Sequence, residues 1–91
     1  MNTRAHVRIS GTVQGVFFRS GIREKAHDLN LKGWARNTPE GGVEAVFEGD
    51  KFAVLEAVDF CKRGPPGAHV EDIDIKWEDY KGEFESFSVR Y

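Results

Sequence analysis

Residues 11–19 read Gly11-Thr12-Val13-Gln14-Gly15-Val16-Phe17-Phe18-Arg19. They join a run of alternating apolar and polar residues to a run with helical spacing, which predicts a strand, a glycine turn and a helix in succession. Glycine lets backbone N–H groups turn inward, and the helix adds the positive end of its dipole. With the guanidinium of Arg19 at its end, the loop is suited to a phosphate or a carboxylate. For the loop alone, a purely structural turn is the alternative.

The front half of the chain predicts three strands and one helix around this loop. Residues 5–13 alternate apolar and polar side chains, the pattern of a strand with one buried face. From Phe18 onward apolar residues recur at helical spacing, and this helix is expected to stop near Asn30. Residues 33–37 and 43–48 predict two strands, which the proline and glycines of residues 38–42 join into a hairpin.

The back half predicts a second helix and two more strands. Asp50 is suited to cap the helix, and Gly64-Pro65-Pro66-Gly67 should end it. The expected core stripe of this helix is Phe52, Leu55, Val58 and Cys61. A strand should follow residue 69, with a bulge or a late start where the alternation slips after Val70. Residues 87–91 alternate again and predict a short last strand.

This order of elements favours an α+β fold of the ferredoxin-like split βαβ type, βαββαβ. Two helices would cover one face of an antiparallel sheet, with a short extra C-terminal strand, in a single domain over residues 1–91. The fold hosts many functions, so the site must decide between them. The aromatic pattern of RNA-binding members and the paired cysteines of metal-transfer members are both missing from the sequence.

Composition narrows the expected partners. The formal net charge of −2 comes with scattered basic residues, so we expect no nucleic acid partner. Cys61 is the only cysteine; it fits a small buried hydrophobe in a reducing compartment. No stretch approaches the ~18 apolar residues of a membrane span, and no apolar signal segment opens the chain. We therefore expect a cytoplasmic protein without membrane contact. Nothing in the sequence suggests an obligate dimer, so we also expect a monomer.

Two stretches together resemble the two signatures of the acylphosphatases. The first is residues 11–19, and the second is Gly33-Trp34-Ala35-Arg36-Asn37, followed by Gly41, Val43 and Gly49 at the family's offsets. The resemblance implies hydrolysis of acyl phosphates, the mixed anhydrides of a carboxylic acid and phosphate, with no metal or organic cofactor. It implies that Arg19 binds the phosphate, that Asn37 orients the water, and that inorganic phosphate is both product and inhibitor.

The residue types suit these roles. The predicted phosphate loop consists of Gln14, Gly15, Val16, Phe17, Phe18 and Arg19. Its backbone N–H groups and the Arg19 fork can surround the equatorial phosphoryl oxygens, because phosphoryl transfer is catalysed largely by positioning and charge stabilisation. The amide of Asn37 both donates and accepts hydrogen bonds, but it is no strong base. The substrate's own phosphate is therefore the expected proton acceptor.

The loop also bears on the nucleophile. Val13 stands where the similar loop of cysteine phosphatases carries its nucleophilic cysteine, and no base is placed in sequence to activate Ser20. Direct attack by water at phosphorus is the prediction. Arg23 and Arg36 are interpreted as solvated surface charges. Their alternative role is to extend the positive electrostatic potential around the phosphate loop. A catalytically silent phosphate sensor and an interaction module without a ligand are the alternative functions.

Overall fold

A computed structural model describes residues 1–91 and contains five strands and two helices. In chain order they are β1 (Asn2–Thr12), α1 (Phe18–Asp28), β2 (Lys32–Asn37), β3 (Val43–Asp50), α2 (Lys51–Arg63), β4 (His69–Glu78) and β5 (Phe87–Arg90). The sheet order is β4-β1-β3-β2-β5. The first four strands pair antiparallel, which confirms the ferredoxin-like α+β prediction, whereas β5 pairs parallel with β2 and makes the sheet mixed.

One face of the sheet forms the core. Ala5 of β1 lies beside Phe47 of β3, and Val7 lies beside Ala45, in a fully buried row. Helix α1 packs on β2 and β5, and α2 packs on β1 and β3, so both helices cover this face. Cys61 is fully buried in it, as predicted, and burial raises the pKa of its thiol. Neither helix is long and apolar enough to cross a membrane.

Strand β3 is buried on both faces rather than on one. Residues 43–48 are all buried, although their alternation predicts one exposed face. Strand β3 is the central strand, with β1 on one side and β2 on the other. Side chains of these two neighbours cover the β3 side chains on the face opposite the helices. Glu44 and Glu48 are therefore covered, and arginines of neighbouring strands pair with both.

The predicted core stripe of α2 is wrong in its first half. Phe52 is 79% exposed and Leu55 is 41% exposed. The buried residues are Val54, Ala57, Val58 and Cys61. Both sets have helical spacing, and the packing of α2 on β1 and β3 buries the second. Asp50 caps the helix as predicted, accepting hydrogen bonds from the N–H groups of residues 52 and 53 at 3.1 and 3.4 Å.

The slip after Val70 is a bulge. Ser10 pairs with Asp72 but Gly11 pairs with Val70, so Glu71 is the extra residue of β4. A Cβ on Gly11 would lie 2.2 Å from the carbonyl oxygen of His69, a separation that no side chain tolerates. The glycine that opens the loop sequence is thus required by this close approach of two strands.

Candidate active site

The topology brings the ends of three strands to the same end of the sheet. Strands β1 and β2 both run antiparallel to β3, and β5 runs parallel to β2. The strands β1, β2 and β5 therefore run in the same direction, and their C-terminal ends lie at the same end of the sheet. The loop of residues 13–17 leaves β1 there, Asn37 ends β2, and Tyr91 follows β5.

The loop of residues 13–17 presents unused backbone donors. Gly15 has φ 74°, and Phe17 has φ 61° and ψ 28°, so both are left-handed. The first hydrogen bond of α1 runs from the N–H of Gly21 to the carbonyl of Phe17 at 3.0 Å. The N–H groups of Gly15, Val16 and Phe17 donate to no acceptor in the chain. Successive free N–H groups in such a turn form a concave anion site.

Gln14 fixes this loop to the β2–β3 turn. Its side-chain Nε2 donates to the carbonyl oxygens of Thr38 at 2.9 Å and Gly42 at 2.8 Å. Within this turn, the N–H of Gly42 donates a hydrogen bond to Oγ1 of Thr38 at 3.0 Å. The Gln14 side chain therefore supports the shape of the loop from outside.

A cavity of about 270 Å³ opens between this loop, α1 and the ends of β2 and β5. It is lined by Val13, Gly15, Phe17, Phe18, Arg19, Ser20, Arg23, Asn37, Val89 and Tyr91. The structure thus brings Arg19 and Asn37 together with most of the predicted loop, but Gln14 and Val16 are not among the lining residues. No acidic side chain lines the cavity, and no group of three or more His, Cys, Asp or Glu side chains is arranged to hold a metal ion.

Arg19 is oriented by the end of β5. Its Nη1 donates to the carbonyl oxygen of Arg90 at 3.2 Å, and its guanidinium carbon lies 4.7 Å from the centre of the Tyr91 ring. The Asn37 side chain makes no hydrogen bond within the chain, although its backbone lies opposite Val43 in the sheet. Ser20 Oγ donates to the carbonyl of Phe17 at 3.1 Å, the local bond expected for a serine at a helix start.

Sequence reasoning missed Val89 and Tyr91 as cavity residues and interpreted Arg23 as a solvated charge. The alternation of residues 87–91 indicates that Val89 and Tyr91 share a face, but it carries no information about the pairing partner. Val89 lies opposite Ala35 in the parallel pair, which places β5 beside the end of β2. For Arg23, its spacing of four residues from Arg19 is the signal that places both on one side of α1.

The sheet face opposite the helices carries a cluster of ion pairs centred on Glu44. Glu44 pairs with His6, with Arg8 at 3.4 Å and with Arg36 at 2.6 Å. Burial alone would raise the pKa of Glu44, but the hydrogen bonds from His6 and Arg36 outweigh it and hold the pKa below its ordinary value. Arg36 is therefore a partner of Glu44 rather than a free charge.

Fold and cavity together define the class: a ferredoxin-like α+β domain that gathers cations and hydrogen-bond donors where α1 begins. The chain belongs to the acylphosphatase family, because the Acylphosphatase family model matches residues 5–89. It is 53% identical over 87 residues to an acylphosphatase of Pyrobaculum calidifontis, covering 94% of this chain and 79% of that protein. It is thus an enzyme that hydrolyses acyl phosphates.

Solved acylphosphatase structures agree in fold. The acylphosphatase of Bacillus subtilis superposes with a TM-score of 0.93 at 32% identity, covering 100% of both chains. The acylphosphatase from Coxiella burnetii superposes with a TM-score of 0.91 at 37% identity, covering 98% of this chain and 93% of that one.

Proposed function

We propose that the loop and Arg19 bind the phosphoryl group of an acyl phosphate while Asn37 orients a water molecule that attacks phosphorus directly. One observation carries this proposal. Arg19, the loop with its unused N–H groups and Asn37 border the same cavity, although they come from separate parts of the chain.

Charge stabilisation is the task of the loop and Arg19. The N–H groups of Gly15, Val16 and Phe17 have no protein acceptor to give up when a phosphoryl oxygen arrives. The hydrogen bond to Arg90 and the Tyr91 ring hold the Arg19 side chain beside them. Such preorganised donors stabilise the charge of the transition state without reorganising during the reaction.

Asn37 supplies orientation rather than basicity. Its free amide can accept a hydrogen bond from water and donate one to a phosphoryl oxygen. The leaving carboxylate is weakly basic and needs little protonation, and the proton of the attacking water passes to the phosphate. We accordingly propose that hydrolysis needs neither a metal ion nor an organic cofactor.

A covalent enzyme intermediate does not fit this site. Val13 offers no nucleophile, and Ser20 Oγ already donates its proton to the carbonyl of Phe17. Neither a histidine nor a carboxylate lines the cavity to activate that hydroxyl.

We further propose that the enzyme acts as a monomeric single domain in the cytoplasm and is inhibited by its product, inorganic phosphate. The loop, Arg19 and Asn37 meet at one cavity within a single folded chain, so the proposed chemistry requires no residue from a second subunit. Cys61 is buried and unpaired, which is compatible with a reducing compartment.

Hydrolysis of benzoyl phosphate in ¹⁸O-labelled water tests the point of attack, with and without a chelator. We expect the label in inorganic phosphate and an unchanged rate in the presence of the chelator. Label in benzoate would show attack at the carbonyl carbon, and a rate lost with the chelator and restored by metal would show that the site is incomplete as proposed.

A further inference from the structure

Arg23 is a second cation of the same cavity. It follows Arg19 by one turn of α1 and lines the cavity with it. Residues four apart on a helix are neighbours, with about 5–6 Å between their Cβ atoms. Both residues therefore border the cavity from one side of α1.

Arg23 has no partner within the chain. Every other arginine makes an ion pair, a hydrogen bond or a ring contact: Arg4, Arg8, Arg19, Arg36, Arg63 and Arg90. No acidic residue lines the cavity to neutralise Arg23. Its charge is thus available to a ligand, whereas the proposed mechanism already uses Arg19.

The donors around Arg23 indicate the kind of anion. The phosphoryl group would meet the loop N–H groups and Arg19 together, but Arg23 lies a turn farther along α1, past the free N–H groups of the loop. A guanidinium fork pairs with a carboxylate or a phosphate through two parallel hydrogen bonds. The loop and Arg19 are proposed to hold the phosphoryl group, and a carboxylate carries the single negative charge that matches the one positive charge of Arg23.

We infer that Arg23 binds a carboxylate on the acyl group, so that the preferred substrates are acyl phosphates derived from dicarboxylic acids. This inference rests on the proposed function, because the phosphoryl group must occupy the loop and Arg19. Arg23 would then determine specificity at the acyl end while the loop determines it at the phosphoryl end.

Two synthetic substrates of nearly equal shape test the inference: 3-carboxybenzoyl phosphate and 3-methylbenzoyl phosphate. The quantity measured is the ratio of their kcat/KM values, carboxylated over methylated. It is compared between the unchanged protein, Arg23→Gln, Arg23→Lys and Arg63→Gln. Arg63 is an exposed arginine at the end of α2, outside the cavity, so its replacement removes the same charge elsewhere.

We expect the ratio to fall about tenfold in Arg23→Gln, the scale of one hydrogen bond between charged groups. Arg23→Lys should recover part of it, and Arg63→Gln should keep it. An unchanged ratio in Arg23→Gln, or an equal loss for both substrates, would overturn the inference while leaving the proposed function standing. The proposed function itself would fail if neither substrate were hydrolysed by the unchanged protein.

Discussion

Glu44 is a carboxylate that is only 5% exposed at its side chain, and three cationic or ionisable groups balance it. Arg8 and Arg36 lie directly opposite it on the two strands that flank β3, and His6 is the third partner. Because these groups hold the pKa of Glu44 below its ordinary value of 4.5, its charge stabilises the fold.

The sign of the pH dependence follows from that lowered pKa. On acidification the unfolded chain takes up the Glu44 proton before the folded chain does, so the free energy of unfolding falls as the pH drops below about 4.5. This contribution is present in full above that pH. Chemical unfolding measured from pH 7 to pH 3 should show the decline.

Glu44→Gln should lower the free energy of unfolding at pH 7 by about 2 kcal/mol, the scale of a hydrogen bond to a charged group, because it removes the charge that pairs with the facing arginines. It should also flatten the decline in acid. Glu40 lies in an exposed turn and makes no ion pair, so Glu40→Gln is the matched control and should change neither quantity. Equal acid profiles for Glu44→Gln and the unchanged protein would contradict this account.

The role of a residue could be predicted from the sequence where it depends on a motif or on residues nearby in the chain. The sequence predicts Arg19 and Asn37 as partners through two signatures, and the structure places both at one cavity. It predicts the Asp50 cap from a short-range pattern, and the cap is present. The spacing of Arg23 from Arg19 places both on one side of α1, but it does not distinguish Arg23 from a solvated charge. The other walls of the cavity come from the ends of β2 and β5, which are distant in sequence.

Strand β5 is the element that connects the end of the chain to the candidate site. Its carbonyl of Arg90 accepts a hydrogen bond from the Arg19 side chain, and Tyr91, directly after the strand, places its ring beside the same guanidinium. It also adds Val89 to the cavity lining. The strand therefore has a role in orienting Arg19 in addition to closing one edge of the core.

Tyr91→Ala should weaken phosphate binding by about threefold, the scale of one exposed contact between a cation and a ring. The increase should appear in the inhibition constant of phosphate and in KM for benzoyl phosphate. Tyr91→Phe keeps the ring and should behave as the unchanged protein does. If Tyr91→Ala bound phosphate as tightly as Tyr91→Phe, the ring contact would have no part in orienting Arg19.

The type and order of the elements could be predicted from short sequence patterns. Which face of an element is buried and which strand it pairs with could not, because both depend on tertiary contacts. The order of strands and helices and the end of α2 near Gly64 follow from short patterns. The alternation also shows the slip after Val70, but only the pairing register shows that it is a bulge and not a late strand start. The buried face of α2 does not, because Phe52 and Val54 both begin stripes of helical spacing. The parallel pairing of β5 with β2 joins residues more than fifty positions apart, so no local pattern encodes it.

At the scale of the whole molecule, the strand order explains why a small chain can build a site from distant residues. Placing β3 between β1 and β2 makes those two strands parallel to each other, so their C-terminal ends meet. The loop after β1 and Asn37 at the end of β2 are thereby brought together. The fold supplies the geometry, and the loop, Arg19 and Asn37 supply the chemistry proposed for it.

We propose that Arg19 binds the phosphate and that Asn37 orients the water. Steady-state hydrolysis of benzoyl phosphate, with inorganic phosphate as inhibitor, measures both roles at once. Arg19→Gln and Asn37→Ala are compared with Arg63→Gln, a charge-matched control outside the cavity. Thermal unfolding of each variant verifies that it is folded.

We predict that Arg19→Gln loses both turnover and inhibition by phosphate, because the principal charge at the phosphoryl site is gone. Asn37→Ala should lower kcat at least a hundredfold while phosphate still inhibits, the effect expected for one preorganised hydrogen-bonding group. Full turnover in Asn37→Ala, or undiminished phosphate inhibition in Arg19→Gln, would contradict the account.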